Sequence, residues 1–307
     1  MSVSETAELR KRRAAASESV TWTKLKRLWS SVAPHLAVLL ILLFAVFPFY
    51  WAVVSTLKPS TELYTLTPSF LPHTWTLDNY VWAVNQDTFI STLRNSVFVA
   101  CITAIVSVVI TSMMGYSMAR LRFAGKNIIV TALVASQMLP GVLLVVPMFV
   151  LFVTLQRLLH LELVNTFQGL VIGFATFSVP FSALLLRGFF ANFPVELEEA
   201  ALIDGCTRLR AFFYVVLPLC IPGVLTVALF AFVLAWSDLL FAMVLTNNTR
   251  AQTVAVTITQ LATSQYSNTN YGGILAEGVI ITIPIVLLFV FLQRFLIEGM
   301  TAGAIKG

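Results

Sequence analysis

The chain has 307 residues, of which 58% are hydrophobic and only 11% are charged. Soluble domains carry about 25% charged residues, so this composition excludes a water-soluble globular protein and indicates an integral membrane protein. The formal net charge of +5 would suggest nucleic-acid binding in a soluble chain, but here the distribution of the basic residues relative to the apolar runs explains it better.

The first 32 residues are polar and basic and include the run Arg10-Lys11-Arg12-Arg13. The apolar run that follows is too long for a cleavable signal peptide and has no small-residue cleavage site. We therefore expect residues 1–32 to form a disordered cytoplasmic tail. The first membrane helix is predicted at 33–57, with Trp51 near its outer interface, where aromatic residues concentrate.

Uncharged runs predict six membrane helices in all. After the first, they lie at 95–119, 127–156, 163–186, 211–237 and from about 274 to just before Arg294. This division gives outer loops at 58–94 and 246–273, a five-helix core at 95–296 that includes an inner loop at 187–218, and a tail at 297–307. All Lys and Arg residues except Lys58, Arg94, Arg157 and Arg250 then fall on one side. Because basic residues accumulate on the cytoplasmic side, both termini are expected to be cytoplasmic.

Two of the predicted spans carry residues that suit helix packing or bending. Gly115 and several Ser and Thr residues in the second span permit close approach of another helix. The third span contains Gln137, Pro140 and Pro147, and the prolines predict kinks of the kind that line transport pathways. Gln137 is then either a hydrogen-bonding group of the pathway or a contact between helices.

Two carboxylates fall inside the predicted spans near the outer face. Asp238 lies near the outer end of the fifth helix, which is expected to continue to about 245, and is expected to be either a water-exposed interfacial carboxylate or a pathway residue. The uncharged run 278–293 is too short to cross a bilayer, so Glu277 must belong to the sixth helix. Ionisable residues at that depth are usually paired or face water, and Arg94 has a similar predicted depth. Arg94 is therefore a candidate partner for Glu277, and the alternative is that Glu277 faces water.

The segment 194–218 is the long polar interruption in the later part of the chain. Pro194 suits the beginning of a helix, and the mixture of apolar and acidic residues that follows predicts a short amphipathic helix. Gly205 suits a left-handed C-terminal cap. A second short helix is predicted over about 207–216, so the segment is a helix–turn–helix between two membrane spans.

The spacing within this segment is specific. Glu199-Ala200-Ala201 is followed by three residues, Gly205, nine residues, Val215, one residue and Leu217-Pro218. This pattern resembles the cytoplasmic signature of membrane subunits of binding-protein-dependent ABC importers, with Val215 in place of the usual isoleucine. The alternative is a solvated loop that is helical without that role. Further segments resemble the carbohydrate-uptake, MalG-like branch of the family: 57–59, 76–80, 119–126 and 299–307.

The resemblance implies an all-α type I permease fold with six transmembrane helices, which forms half of a pathway for a sugar. In that family the helix–turn–helix seats in a cleft of the ATPase, which implies these coupling residues: Glu198, Glu199, Ala200, Ala201, Asp204, Gly205, Leu217 and Pro218. Similarly implied are a C-terminal contact with the ATPase through Thr301, Gly303 and Lys306, and a binding-protein contact through Tyr266, Asn268 and Tyr271. The remaining candidates are the pathway residues Gln137, Asp238 and Glu277. The small residues of the C-terminal tail favour an extended, insertable conformation.

The partners that the resemblance implies are a sister permease, two ATPase subunits and an extracytoplasmic solute-binding protein, in a bacterial or archaeal cytoplasmic membrane. The sequence has no Gly-x-x-x-x-Gly-Lys-Ser/Thr pattern, so ATP and Mg are expected on the ATPase subunits. No spacing of histidines or cysteines suggests a metal, a disulfide or a catalytic centre, so no cofactor and no enzyme activity are expected. Alternatives are a permease for a polyol or a glycerol phosphate, an ion-coupled transporter using Asp238 and Glu277, and a membrane-embedded enzyme.

Overall fold

The structure, a computed structural model, describes residues 3–263 and 270–304, and all regular elements in these two ranges are helical. The α-helices are α1 (Val3–Thr56), α2 (Ser60–Leu63), α3 (Asp78–Val84), α4 (Asp87–Arg120), α5 (Lys126–Gln137), α6 (Gly141–Leu159), α7 (Phe167–Asn192), α8 (Val195–Ile203), α9 (Arg208–Ala211), α10 (Leu217–Leu219), α11 (Ile221–Ser237), α12 (Leu240–Leu245), α13 (Val254–Thr263) and α14 (Tyr271–Ala304). A π-helical segment, Phe212–Val216, lies between α9 and α10. Five helical stretches are long and apolar enough to cross a membrane, and the bent pair Arg208–Leu219 and Ile221–Ser237 makes a sixth if it counts as one span. The predicted all-α fold is confirmed.

The N-terminal segment is helical, and the prediction of a disordered tail is wrong from Val3 onwards. Helix α1 runs without a break from Val3 into the apolar span Val32–Thr56. The physical reason is that residues 3–31 contain neither glycine nor proline and are rich in good helix formers such as Ala, Leu, Glu, Lys and Arg.

The first outer loop, predicted at 58–94, is shorter than predicted and partly helical. It contains α2 and α3, and α4 begins at Asp87, so that Arg94 lies inside a helix. The Asn79 side chain donates through Nδ2 to the carbonyls of Thr56 at 3.0 Å and Lys58 at 2.8 Å. These bonds fasten α3 to the C-terminal end of α1.

The predicted third span is divided into two helices. Helix α5 ends at Gln137 and α6 begins at Gly141. Pro140 is the cause, since a proline lacks an N–H and disfavours helical backbone in the residue before it. Pro147, in contrast, lies inside α6.

The centre of the molecule is formed by α4, α7 and α11. At the contact between α4 and α7, a Cβ atom on Gly115 would lie 2.9 Å from Cβ of Leu186. The hydroxyls of Ser107 and Ser178 share a hydrogen bond of 2.6 Å across the same contact. Small residues therefore allow these two helices to approach closely, as the sequence predicts.

The predicted outer loop at 246–273 is also partly helical, because it contains α13 and the start of α14. Asn95, in α4, donates through Nδ2 to the carbonyls of Thr249, Arg250 and Gln252 at 3.1–3.3 Å. The N–H of Val254 donates to the Ser96 hydroxyl at 2.8 Å. The first residues of the predicted second span thus anchor this loop.

The C-terminal tail continues the last membrane helix. Helix α14 extends to Ala304, so the prediction of an extended tail at 297–307 is wrong as far as that residue. An isolated glycine in a helix costs only about 1 kcal/mol relative to alanine. Gly299 and Gly303 therefore do not end a helix that the apolar span has already formed.

Candidate functional site

The segment 194–219, which we call the elbow, lies between α7 and α11. Its first helix, α8, starts after Pro194 and ends at Ile203, as predicted. Gly205 has a φ of +86°, the left-handed conformation that glycine adopts at little cost. The N–H of Gly205 donates to Leu202 O at 3.1 Å and the N–H of Cys206 donates to Ala201 O at 3.0 Å. This pair of bonds is the Schellman arrangement that ends a helix.

The second half of the elbow is helical but not uniformly α-helical. Helix α9 begins after Thr207, whose hydroxyl accepts a bond from the N–H of Arg210. The backbone then widens into the π-helical segment Phe212–Val216 just before Pro218. A proline ring clashes with the carbonyl four residues earlier in a regular α-helix, and the widened turn accommodates it. The chain then bends by 78° before Ile221–Ser237.

The elbow carries exposed apolar side chains on a polar segment. Ile203, Leu209 and Tyr214 are 85%, 62% and 79% exposed. Large apolar side chains exposed on an otherwise polar segment suit a contact with another protein. Among the predicted coupling residues, Glu199, Ala200, Asp204, Gly205 and Pro218 are exposed, while Ala201 and Leu217 are half-buried.

Glu198 differs from the other predicted coupling residues because its side chain is buried. The hydroxyl of Tyr116, near the end of α4, donates to Glu198 Oε1 at 2.5 Å. Arg120 Nε lies 3.2 Å from Glu198 Oε2, in an ion pair whose angle is poor for a hydrogen bond. The carboxylate therefore faces the bundle and is not on the exposed face of α8.

Arg120 has a structural role that the sequence did not reveal. Its guanidinium donates through Nη2 to Phe193 O at 2.5 Å and lies 5.8 Å from the centre of the Phe193 ring. The sequence suggests only that this cation, together with Arg122 and Lys126, holds the turn after α4 at the inner leaflet. The structure shows that Arg120 also joins the end of α4 to the start of the elbow.

An aromatic cluster extends this junction. The Tyr116 and Phe212 rings are 4.6 Å apart between centres, and Phe190 lies 6.0 Å from each of them. These residues come from α4, the π-helical segment and α7 respectively. The elbow therefore shares an apolar core with the ends of two central helices, the C-terminal ends of α4 and α7.

The two carboxylates predicted near the outer face have different surroundings. Asp238 is half-buried, and its Oδ1 accepts bonds from the N–H groups of Phe241 at 3.0 Å and Ala242 at 3.3 Å. It therefore caps the short helix α12. Glu277 is completely buried, and neither of its oxygens has a hydrogen-bond partner in the described part of the chain.

The predicted pair between Glu277 and Arg94 is wrong. Arg94 is exposed, and the ion pair between Arg120 and Glu198 is the one that the described residues contain. The depth estimate from the sequence concerns position along the helix axis. It does not determine the direction in which a side chain points around that axis. Glu277 faces the bundle, whereas Arg94 faces outwards.

The remaining candidates are spread over the molecule. Gln137 is exposed at the end of α5. Tyr271 begins α14 and lines an outer cavity of about 260 Å³ together with Trp51, Lys58 and Tyr64. Thr301 and Gly303 lie in α14, whereas Tyr266, Asn268 and Lys306 lie outside the described residues. Over the described ranges, no group of three or more His, Cys, Asp or Glu residues is arranged to hold a metal ion.

Comparison with known proteins places this arrangement in a family. Residues 108–302 match the family model described as "Binding-protein-dependent transport system inner membrane component". The chain is 36% identical to the trehalose transport system permease protein SugB of Mycobacterium tuberculosis, over 86% of this chain and 93% of that protein. It is 32% identical to the diacetylchitobiose uptake system permease protein DasC of Streptomyces coelicolor, over 92% of this chain and 99% of that protein.

A solved structure has the same fold. It is a bacterial ABC transporter involved in the import of the acidic polysaccharide alginate, with a TM-score of 0.74 and 18% identity. The alignment covers 86% of this chain and 95% of that chain. The helix–turn–helix signature, the bundle of membrane helices and these matches agree. The chain is a multi-pass membrane protein and belongs to the family of inner membrane components of binding-protein-dependent transport systems.

Proposed function

We propose that the chain is one half of the membrane pathway of an ATP-driven importer for a sugar, which an extracytoplasmic solute-binding protein delivers. The relatives support a mono-, di- or oligosaccharide, because SugB belongs to a trehalose transport system and DasC to a diacetylchitobiose uptake system. The carbohydrate-branch segments in the outer loop and the C-terminal region support the same class.

The structure of the elbow supports the coupling part of this proposal. The elbow is a helical segment between two membrane spans, with exposed apolar side chains at Ile203, Leu209 and Tyr214. A contact of this kind suits a cleft on an ATPase subunit. The chain has no phosphate-binding loop pattern of its own, so ATP and Mg bind to the partner subunits in this proposal.

A sister permease completes the pathway in this proposal. Helix α6 supports it, because Val142, Leu143, Val146 and Val150 are all more than half exposed in the single chain. Such a face needs either lipid or another apolar helix around it. The complete importer then contains two permease subunits, two ATPase subunits and the binding protein, with both termini of this chain in the cytoplasm of a bacterial or archaeal cell.

The direct test is reconstitution of the complex encoded with this chain in lipid vesicles. We expect ATP-dependent uptake of a sugar only when the loaded binding protein is present. Uptake assays with disaccharides, polyols and glycerol phosphates, matched to a ligand screen on the binding protein, identify the substrate class. Preferential uptake of a polyol or a glycerol phosphate would contradict the sugar assignment. Uptake driven by an ion gradient without ATP would contradict the importer class.

A further inference from the structure

Helix α8 presents two adjacent carboxylates with opposite environments. Glu199 is exposed, whereas Glu198 is 5% exposed and faces Tyr116 and Arg120 of α4. Successive residues of an α-helix point about 100° apart, so the two side chains leave the helix in different directions. Only Glu199 is oriented for a contact with another subunit.

The buried carboxylate of Glu198 is stabilised by a hydrogen-bond donor and by a cation. A carboxylate away from water needs a cation and hydrogen-bond donors, and Tyr116 and Arg120 supply one of each. Both come from the last two turns of α4, at 82 and 78 residues from Glu198 in the sequence. Removal of either partner leaves part of the carboxylate buried without compensation.

Arg120 makes this junction a three-part connection. Through Nη2 it holds the carbonyl of Phe193, directly before α8, while its Nε faces Glu198. Helix α4 in turn packs tightly along α7. At this contact Leu186 leaves no room for a Cβ atom on Gly115. The elbow, the end of α4 and the central pair of helices are therefore in continuous contact.

We propose that Glu198 is a positioning residue for coupling, which fastens α8 to the cytoplasmic end of α4 so that the elbow and the central helices move together. Its role is within this chain and not in the contact with the ATPase. The inference rests on the proposed coupling function of the elbow. It assigns a different task to each of the two neighbouring carboxylates.

Three variants test this proposal in the reconstituted complex: Tyr116→Phe, Glu198→Gln and the double variant. Tyr116→Phe is the most selective, because it removes one hydroxyl and keeps the ring that packs against Phe190 and Phe212. The matched control is Glu162→Gln, an exposed carboxylate outside the elbow. The measurements are sugar molecules imported per ATP hydrolysed, retention of the ATPase subunits during purification, and amide hydrogen exchange over residues 195–203.

We expect each single variant to retain the ATPase subunits and ATP hydrolysis but to import fewer sugar molecules per ATP. Exchange in α8 should be about tenfold faster or more, since hydrogen bonds to charged groups contribute at least that factor. The double variant should be no worse than the more affected single variant, because both changes break one connection. Glu162→Gln should behave like the unmodified chain.

Two results would overturn the inference. One is unchanged exchange in α8, which would show that Glu198 does not fasten the helix. The other is import and ATP hydrolysis falling in the same proportion, or not falling at all, which would show that the contact has no role in coupling. The exchange measurement needs no substrate, so it remains valid if the sugar assignment is wrong. Failure of the unmodified complex to import would contradict the proposed function instead.

Discussion

Gly205 is the residue of the elbow whose backbone is most restrictive. Its φ of +86° costs other residues about 1–2 kcal/mol. No atom lies within 4 Å of the position that a Cβ would take, so a side chain there would project from the elbow towards a partner. Gly205→Val is therefore expected to insert normally in the membrane, to weaken retention or stimulation of the ATPase, and to abolish uptake.

The control for that variant is Gly188→Val in α7, which also has no atom within 4 Å of its Cβ position but has no positive φ. Membrane insertion, co-purification of the ATPase and uptake are measured for both. The binding protein alone should keep its affinity for the sugar. Normal transport by Gly205→Val in a fully assembled complex would remove the coupling role of the elbow.

Glu277 is the second residue for which the structure makes a definite prediction. A buried carboxyl without a partner gains nothing from its charge, and glutamine has nearly the same shape. Glu277→Gln is therefore expected not to lower the melting temperature of the purified chain. Arg94→Gln, at an exposed position, should change stability by less than about 0.5 kcal/mol. If each variant lowered stability and the double variant recovered it, the two residues would be paired after all.

Among the helices, α4 and α7 pack closely at Gly115, and a substitution there tests the fold. A Cβ on Gly115 would lie 2.9 Å from Leu186 Cβ and 3.0 Å from the backbone nitrogen of Arg187. Gly115→Ala should thus force the helices apart and destabilise the chain by about 1–3 kcal/mol, the usual cost of overpacking.

The matched control is Gly278→Ala in α14, where no atom lies within 4 Å of the Cβ position. Since alanine favours a helix by about 1 kcal/mol over glycine, this variant should be as stable as the unmodified chain or more stable. Thermal unfolding in detergent compares the two. Equal stability of both variants would show that α4 and α7 are not in close contact at Gly115.

The elements also show what the sequence determines and what it does not. Long apolar runs identify membrane spans because a bilayer requires about 20 apolar residues, and Pro194 and Gly205 mark the ends of α8 by their backbone restrictions. The same approach misses the continuation of α1 towards Val3, since an apolar run defines a span and not a helix. Similarly, Pro140 predicts a kink, but whether the helix bends or breaks depends on tertiary packing.

The candidate site was predictable in position but not in side-chain orientation. Spacing along the chain identifies the elbow, yet it cannot tell that Glu198 faces inwards and Glu199 outwards. Tyr116 and Arg120 had no sequence signal as partners of Glu198, because they are about 80 residues away. The same limit explains the wrong pairing of Arg94 with Glu277.

At the scale of the whole molecule, the orientation in the membrane rests on the basic residues. All but Lys58, Arg94, Arg157 and Arg250 fall on one side, which is expected to be cytoplasmic. In a variant without its three cysteines, Thr67→Cys, at an exposed position of the first outer loop, should react with an impermeant maleimide in intact cells. Ser17→Cys should react only after permeabilisation. Labelling with the opposite sidedness would contradict the orientation.

The elbow is the proposed contact with the ATPase, and photo-crosslinking from Ile203 tests this contact. This side chain is 85% exposed at the end of α8, directly before the turn at Gly205. A photoreactive residue there, in the assembled importer, should form a covalent product with the ATPase subunit. The same residue at Leu143, 66% exposed in the membrane helix α6, should not. A product of Ile203 with lipid or with the sister permease alone, in a complex that contains the ATPase, would contradict the account.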